Sequence, residues 1–133
     1  MAEKRARPLS PHLQVYKWGP HMTVSILNRM MGVGLATVGT LVLVWWLMAL
    51  ASGEETYKGF MACVTGCYYF GYVVAIGLTF AFFFHLCAGV RHFVMDAGAG
   101  FELDANKLWA WMTLIIAALL TAGTWLIVLG KAL

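Results

Sequence analysis

The sequence predicts an all-α integral membrane protein with three transmembrane helices. Of its 133 residues, 62% are hydrophobic and only 11% are charged, whereas a soluble domain has about 25% charged residues. Three long runs contain no Asp, Glu, Lys or Arg: residues 30–51, 59–90 and 108–130. A helix needs roughly 20 apolar residues to cross a hydrocarbon core about 30 Å thick. Each run is long enough, and none has the charged face that a soluble helical bundle requires.

One domain is expected, residues 1–133, with a polar arm, three helices and two short loops. Pro8, Pro11 and Pro20 argue against a long helix in the arm, residues 1–20. The helices are expected at about residues 21–51, 60–95 and 106–129. An outer loop at residues 52–58 and an inner loop at residues 96–104 connect them.

The basic residues predict how the chain is oriented in the membrane. The arm, the start of the first helix and the inner loop together carry seven Lys and Arg residues, against Lys58 and Lys131 on the other side. Because Lys and Arg accumulate in cytoplasmic loops, we expect a cytoplasmic N-terminus and a periplasmic C-terminus. No transit or signal peptide is recognisable, so a bacterial inner membrane is expected; the alternative is a mature organellar chain. The net charge of +3 follows from this topology and does not indicate nucleic-acid binding.

The first candidate site lies on the predicted second helix. His85 and His92 are seven residues apart and therefore share one helix face, about 10.5 Å apart along the axis. Gly89 lies between them and leaves room for a flat ligand beside the backbone. Neutral imidazole is a common axial ligand of haem iron, and His92 with Arg91 would lie near the haem propionates. The alternative is a buried histidine that hydrogen-bonds a neighbouring helix, and the spacing leaves both interpretations open.

The second candidate site lies at the start of the first helix. Ser25, Asn28, Arg29 and Gly32 follow the spacing of one helix face. An Arg at the centre of a membrane helix costs about 2.5–3.5 kcal/mol, so Arg29 should face protein, a propionate or a headgroup. Ser25 and Arg29 are spaced to hydrogen-bond one carbonyl oxygen together. The alternative is an Arg whose side chain only extends to the membrane surface and anchors the helix.

A haem ligated by His85 would need its second axial ligand from another polypeptide. His21 lies at the start of the first helix, whereas His85 lies some ten residues inside the second, or roughly 15 Å deep. The depths do not match, and His12 lies still further out. The chain therefore looks like half of a haem site.

Three motifs in this order resemble one family. They are Arg7-Pro8-Leu9-Ser10-Pro11-His12-Leu13, then Ser25-Ile26-Leu27-Asn28-Arg29-Met30-Met31-Gly32, then His85-x3-Gly89-x-Arg91-His92-x3-Asp96. Together they span nearly the whole chain. They resemble the cytochrome b556 subunits of succinate dehydrogenase, the larger of the two membrane anchors of respiratory complex II. The proline-rich arm is similar to that of an alphaproteobacterial member.

The resemblance implies half of a heterodimeric haem-binding membrane bundle. In such a complex a flavoprotein subunit oxidises succinate, and an iron–sulfur subunit passes the electrons to ubiquinone. By resemblance, Ser25 and Arg29 match quinone-site positions. His85 matches the axial ligand of haem b, and a second small membrane anchor supplies the other axial histidine. His92 and Arg29 match positions near the propionates.

One position departs from the family pattern. The first helix of the family reads Ser-x-x-His-Arg, and here Asn28 stands at the histidine position. Asn can donate a hydrogen bond to a propionate or quinone oxygen, but it does not titrate. If that histidine relays protons in relatives, this chain must use Arg29, water or a partner's side chain.

Four other functions are compatible with parts of the sequence. Two of them lie within the family: an anchor that holds quinone but has lost its haem, and a fumarate reductase that works with a lower-potential quinone. The third is a small transporter or channel subunit; a transporter would show internal repeats or broken helices around a midplane site, and the sequence shows neither. A purely structural scaffold would not explain a histidine beside Gly89 at membrane depth.

Overall fold

The computed structural model describes residues 15–66 and 70–132, and the regular structure of this part is helical. Three helices are long and apolar enough to cross a membrane: Pro20–Ala51, Phe70–Asp96 and Leu103–Lys131, with mean hydropathies of 2.1, 2.2 and 2.3 over their apolar stretches. The predicted fold class, all-α with three transmembrane helices, is confirmed. Most of the predicted arm, residues 1–14 with Pro8, Pro11 and His12, lies outside the described residues.

The first transmembrane helix consists of α1 (Pro20–Gly34), a π-helical segment (Leu35–Gly39) and α2 (Thr40–Ala51). It begins at Pro20 because proline has a fixed helical φ and lacks the N–H that would be unpaired at this position. Gly19 before it is extended, and its carbonyl oxygen accepts hydrogen bonds from the N–H groups of Met22 and Thr23, both at 3.1 Å. The helix therefore begins one residue before the expected start.

The π-helical segment was not expected from the sequence. Its wider turn is seen at Thr40, whose N–H donates to the carbonyl oxygen of Leu35, five residues earlier. The Thr40 hydroxyl donates to the same oxygen at 3.3 Å, and the Thr37 hydroxyl donates to the Val33 oxygen at 2.8 Å. These hydroxyl groups donate hydrogen bonds to backbone carbonyl groups in a segment expected within the membrane, where water is not available as a donor.

The expected outer loop at residues 52–58 is mostly helical instead. The chain turns at Gly53, whose φ of +103° favours glycine, and α3 (Glu54–Gly66) follows at once. Glu54 lies in the first turn, where the helix dipole favours an acidic residue, and it pairs with Lys58 at 2.7 Å. On α2, Trp45 packs edge-to-face against Phe60 of α3 with ring centroids 4.7 Å apart.

The second helix is divided, whereas the sequence led us to expect one helix over residues 60–95. α3 ends at Gly66, α4 (Phe70–Asp96) is a separate helix, and residues 67–69 between them lie outside the described residues. Val64 lies directly against Gly71, where a Cβ would collide with the Val64 carbonyl group. An apolar run carries no charge that would mark such a junction. α4 has 27 residues and is about 40 Å long, so it crosses the membrane without α3.

α5 (Leu103–Ala132) begins three residues before the expected start and runs antiparallel to α4. The turn between them uses Gly98 and Gly100 at φ values of +86° and +78°. The helices α1, α4 and α5 share a small core, formed by Val24, Phe84, Ala110 and Ala117. In the apolar stretches of the three spans, only 6%, 17% and 17% of the residues are buried. Most of each span is therefore available to lipid or to another polypeptide.

Candidate functional site

α1 and α4 run antiparallel in a constant register. A Cβ built on Gly32 would lie 3.0 Å from His85 Cε1. A Cβ built on Gly39 would lie 3.7 Å from Leu78 Cδ2. Seven residues separate these two contacts on either helix, so the register holds over about two turns.

The same register brings the two candidate sites together. Extended toward the start of α1, this register would pair Asn28 with Gly89 and Ser25 with His92. The candidate site is therefore one band along the boundary of α1 and α4. From His85 to His92 the band is about 10.5 Å tall.

The His85 imidazole lies against the backbone of α1. Its Nδ1 and Nε2 atoms would be 3.4 Å and 3.8 Å from a Cβ on Gly32, so the glycine makes room for the ring. The side chain is nonetheless exposed in the isolated chain. Within residues 15–66 and 70–132, neither ring nitrogen makes a hydrogen bond. The described helices therefore do not supply the partner that a structural histidine would have.

Gly89 has open space where a side chain would be. No atom lies within 4 Å of a Cβ built at this position, so the packing of α4 does not require a glycine there. The space lies one turn from His85 on the same helix face. This arrangement offers room for a flat group next to the imidazole.

The α1 side of the band carries polar groups with unmet hydrogen-bonding capacity. Arg29 is exposed, and Ser25, one turn away, is partly buried. Asn28 Oδ1 is buried and accepts no hydrogen bond in the described structure. An unpaired buried acceptor costs about 1–3 kcal/mol, which a donor from a ligand or partner chain would offset. The exposed His92 side chain lies at the end of the band nearest the start of α1.

The structure corrects the role expected for Arg91. Its side chain is only 7% exposed, and its guanidinium donates a hydrogen bond to Asn106 Oδ1 on α5. Six residues separate it from His85, which turns Arg91 about 120° away around the helix. Arg91 therefore does not accompany His92 along the band. Asn106 was not singled out from the sequence, although it is an amide at the start of an otherwise apolar helix.

His21 is too far from His85 to share a haem with it. It lies eleven residues before Gly32 on α1, and this separation is about 16 Å along the axis. The mismatch in depth expected from the sequence is therefore present. In the described part of the chain, no group of three or more His, Cys, Asp or Glu side chains is placed to hold a metal ion.

Comparison with known proteins identifies the family. A sequence model for the succinate dehydrogenase/fumarate reductase transmembrane subunit matches residues 3–124. The succinate dehydrogenase cytochrome b556 subunit of Rickettsia felis is 38% identical over 119 residues, or 90% of each chain. The same subunit of Paracoccus denitrificans is 38% identical over 100 residues, or 74% of this chain and 73% of the relative.

The similarity extends to a mitochondrial protein. The succinate dehydrogenase cytochrome b560 subunit of Mus musculus is 31% identical over 119 residues, or 88% of this chain and 68% of the relative. Matches of this length exclude the transporter alternative. The chain belongs to the family of succinate dehydrogenase and fumarate reductase transmembrane subunits, among the cytochrome b membrane subunits of succinate dehydrogenase.

Proposed function

We propose that this chain is the haem-binding membrane anchor of a succinate:ubiquinone oxidoreductase and holds one haem b jointly with a second small anchor subunit. The observation that carries the proposal is the His85 imidazole. It is exposed, has no hydrogen-bond partner in the described residues, and lies against Gly32. Open space at Gly89 lies on the same face. When bound, haem b would supply a one-electron redox centre whose potential the protein sets.

The residues of the band suit the parts of a haem. His85 would bind the iron through a neutral ring nitrogen, and the space at Gly89 would admit the flat macrocycle. Arg29 and His92 would donate hydrogen bonds to the propionates. Asn28 would donate from its side-chain amide, although it would not titrate.

The second axial ligand would come from the second anchor. His21 lies at the wrong depth, and His92 lies on the same helix face as His85, where it cannot reach the opposite side of the same iron. The mostly exposed spans provide apolar surface for such a partner and for lipid. The pair would form the heterodimeric membrane bundle that the sequence predicts.

Ser25 and Arg29 would form this chain's part of the quinone site. A quinone carbonyl that accepts electrons gains negative charge, which a guanidinium and a hydroxyl donor stabilise. Preorganised donors of this kind commonly contribute about 2.7–4 kcal/mol to a charged transition state. The relatives described above are subunits of succinate dehydrogenases, and this favours ubiquinone reduction over the fumarate reductase alternative.

The soluble subunits would dock at the inner end of the band. Seven of the nine Lys and Arg residues are expected on this side, which favours the cytoplasm of a bacterial cell for it. The iron–sulfur subunit would bind there, near Ser25 and Arg29, and the flavoprotein would bind to the iron–sulfur subunit. The C-terminus would be periplasmic.

A reduced-minus-oxidised optical spectrum of the purified complex tests the haem proposal. We expect a b-type spectrum when the chain is produced together with its second anchor. The band should be absent when this chain is produced alone, because only one axial ligand is present. An assembled, quinone-reducing complex without any haem band would instead identify an anchor that has lost its haem.

A further inference from the structure

Arg91 is a buried cation whose charge has no partner in the described structure. It lies on the face of α4 that carries Phe84 and Ala88, both fully buried between the helices. The ion pairs within residues 15–66 and 70–132 join Lys58 to Glu54 and Lys107 to Asp104, and neither includes Arg91.

One neutral hydrogen bond holds the guanidinium in place. Its Nη2 donates to Asn106 Oδ1 on α5, while Nε is buried without an acceptor. A guanidinium stays protonated in proteins, so a full positive charge is fixed inside the bundle. An amide oxygen orients this charge without neutralising it.

The charge is close enough to the His85 position to act on it electrostatically. Arg91 follows His85 by six residues, which is about 9 Å along α4. The path between them runs through packed helix rather than water, and screening by salt is weak for buried charges. Arg29 differs in this respect, because its side chain is exposed.

We propose that Arg91 is an electrostatic positioning residue that raises the reduction potential of the haem bound at His85. This inference rests on the proposed function. Ferric haem has one more positive charge than ferrous haem, so a fixed cation nearby disfavours the oxidised form. Asn106 contributes by holding the cation on the core side of α4, where water does not screen it.

The test is an optical redox titration of the haem in the assembled complex. Arg91→Gln removes the charge and keeps a hydrogen-bonding side chain, whereas Arg91→Lys keeps the charge. Because the two side chains also point about 120° apart around the helix, the guanidinium and the iron would be about 15 Å apart. At an effective dielectric constant of about 20, we expect Arg91→Gln to lower the ratio of reduced to oxidised haem about sixfold at the wild-type midpoint. This is about 46 mV, since a tenfold change is about 59 mV for a one-electron couple. Arg91→Lys should stay near the wild-type potential.

Two further variants separate charge from packing. Asn106→Asp keeps the size of the side chain and the hydrogen bond but adds a counter-charge, so it should also lower the potential. It provides the test if Arg91→Gln fails to assemble. Lys107→Gln is the matched control and should cause no shift. It removes a partly exposed cation next to Asn106 in sequence, whose Nζ already lies 3.7 Å from Asp104 Oδ1.

An unchanged midpoint in Arg91→Gln, or in Asn106→Asp where Arg91→Gln does not assemble, would overturn the inference. Equal shifts in Arg91→Gln and Arg91→Lys would overturn it too, because side-chain shape rather than charge would then be responsible. If the wild-type complex has no haem spectrum, the proposed function fails instead, and the two failures are therefore distinguishable.

Discussion

The two faces of α4 differ in what covers them. The core face, formed by Ala81, Phe84, Ala88 and Arg91, is buried against the other helices of the chain. The histidine face, formed by His85, Gly89 and His92, carries two exposed imidazoles and an open glycine position. Polar groups at membrane depth are costly unless they are paired. The core face is thus covered within the chain, and its one polar side chain, Arg91, is hydrogen-bonded to Asn106, whereas the histidine face is left open for a ligand or a partner.

The two arginines show the same contrast. Arg91 is covered and hydrogen-bonded to Asn106, while Arg29 is exposed and makes no ion pair within the described residues. Both lie toward the end of the bundle where α1 begins and α4 ends. The difference fits the two proposed roles, in which Arg91 acts through the interior of the protein and Arg29 acts by direct contact with a group outside the chain.

Replacing the central residue of the histidine face should have the largest effect. We expect His85→Ala to abolish the haem spectrum of the complex, because the iron loses an axial ligand. Leu86→Ala is the matched control, since Leu86 is also exposed on α4 but belongs to neither face. The measurement is the reduced-minus-oxidised spectrum, with subunit content determined on the same sample.

A variant on the core face should lose stability and keep the haem. Phe84→Ala leaves a cavity between α1, α4 and α5, so it should lower the thermal stability of the complex while any complex that assembles keeps its haem. A normal spectrum in His85→Ala would remove the difference between the two faces on which the haem proposal depends.

The α1 side of the band should show a smaller but clear effect. Ser25→Ala and Arg29→Leu should each lower quinone reduction about tenfold or more, since 1.36 kcal/mol of lost transition-state stabilisation is already tenfold. Succinate oxidation with an artificial dye that accepts electrons upstream should persist. If Arg29→Leu leaves quinone turnover intact in an assembled complex, Arg29 serves only as a membrane anchor for α1.

The members of the histidine face could be predicted from the sequence, but the contacts between helices could not. The seven-residue spacing places His85, Gly89 and His92 on one face of any helix. The meeting of His85 with Gly32 depends on the register between α1 and α4, which no local pattern encodes. The burial of Arg91 also escaped prediction, because its place on the core face depends on the partner at Asn106.

Helix boundaries were likewise predictable where they depend on local composition, and not where they depend on individual contacts. Pro20 and the charge-free runs predicted three transmembrane helices, because the cost of charge in lipid acts on every residue of a span. The separation of α3 from α4 is accompanied by a close approach between Val64 and Gly71. The π-helical segment depends on how individual carbonyl groups find partners. Neither leaves a signal in composition.

Filling the open position on the histidine face should reduce haem content without unfolding the chain. Gly89→Leu places a side chain where this chain has no atom within 4 Å, so a loss of haem would show that the cofactor occupies the space. Gly77→Leu is the matched control, because Gly77 is equally open and lies about 18 Å away along α4. Equal haem content per complex in both variants would place the macrocycle elsewhere.

The smallest effect is expected where α1 touches the imidazole. A methyl group on Gly32 would lie 3.0 Å from His85 Cε1, so the ring must move by a few tenths of an ångström. We expect Gly32→Ala to retain the haem with a small shift of its absorption band or midpoint potential. Gly34→Ala is the matched control: a Cβ there meets no atom within 4 Å, and both variants gain the same helix propensity, about 0.5–1 kcal/mol. Since propensity cancels between the two variants, a shift confined to Gly32→Ala would come from the displaced imidazole. Identical spectra for the two variants would mean that the haem-bound His85 ring does not lie against α1.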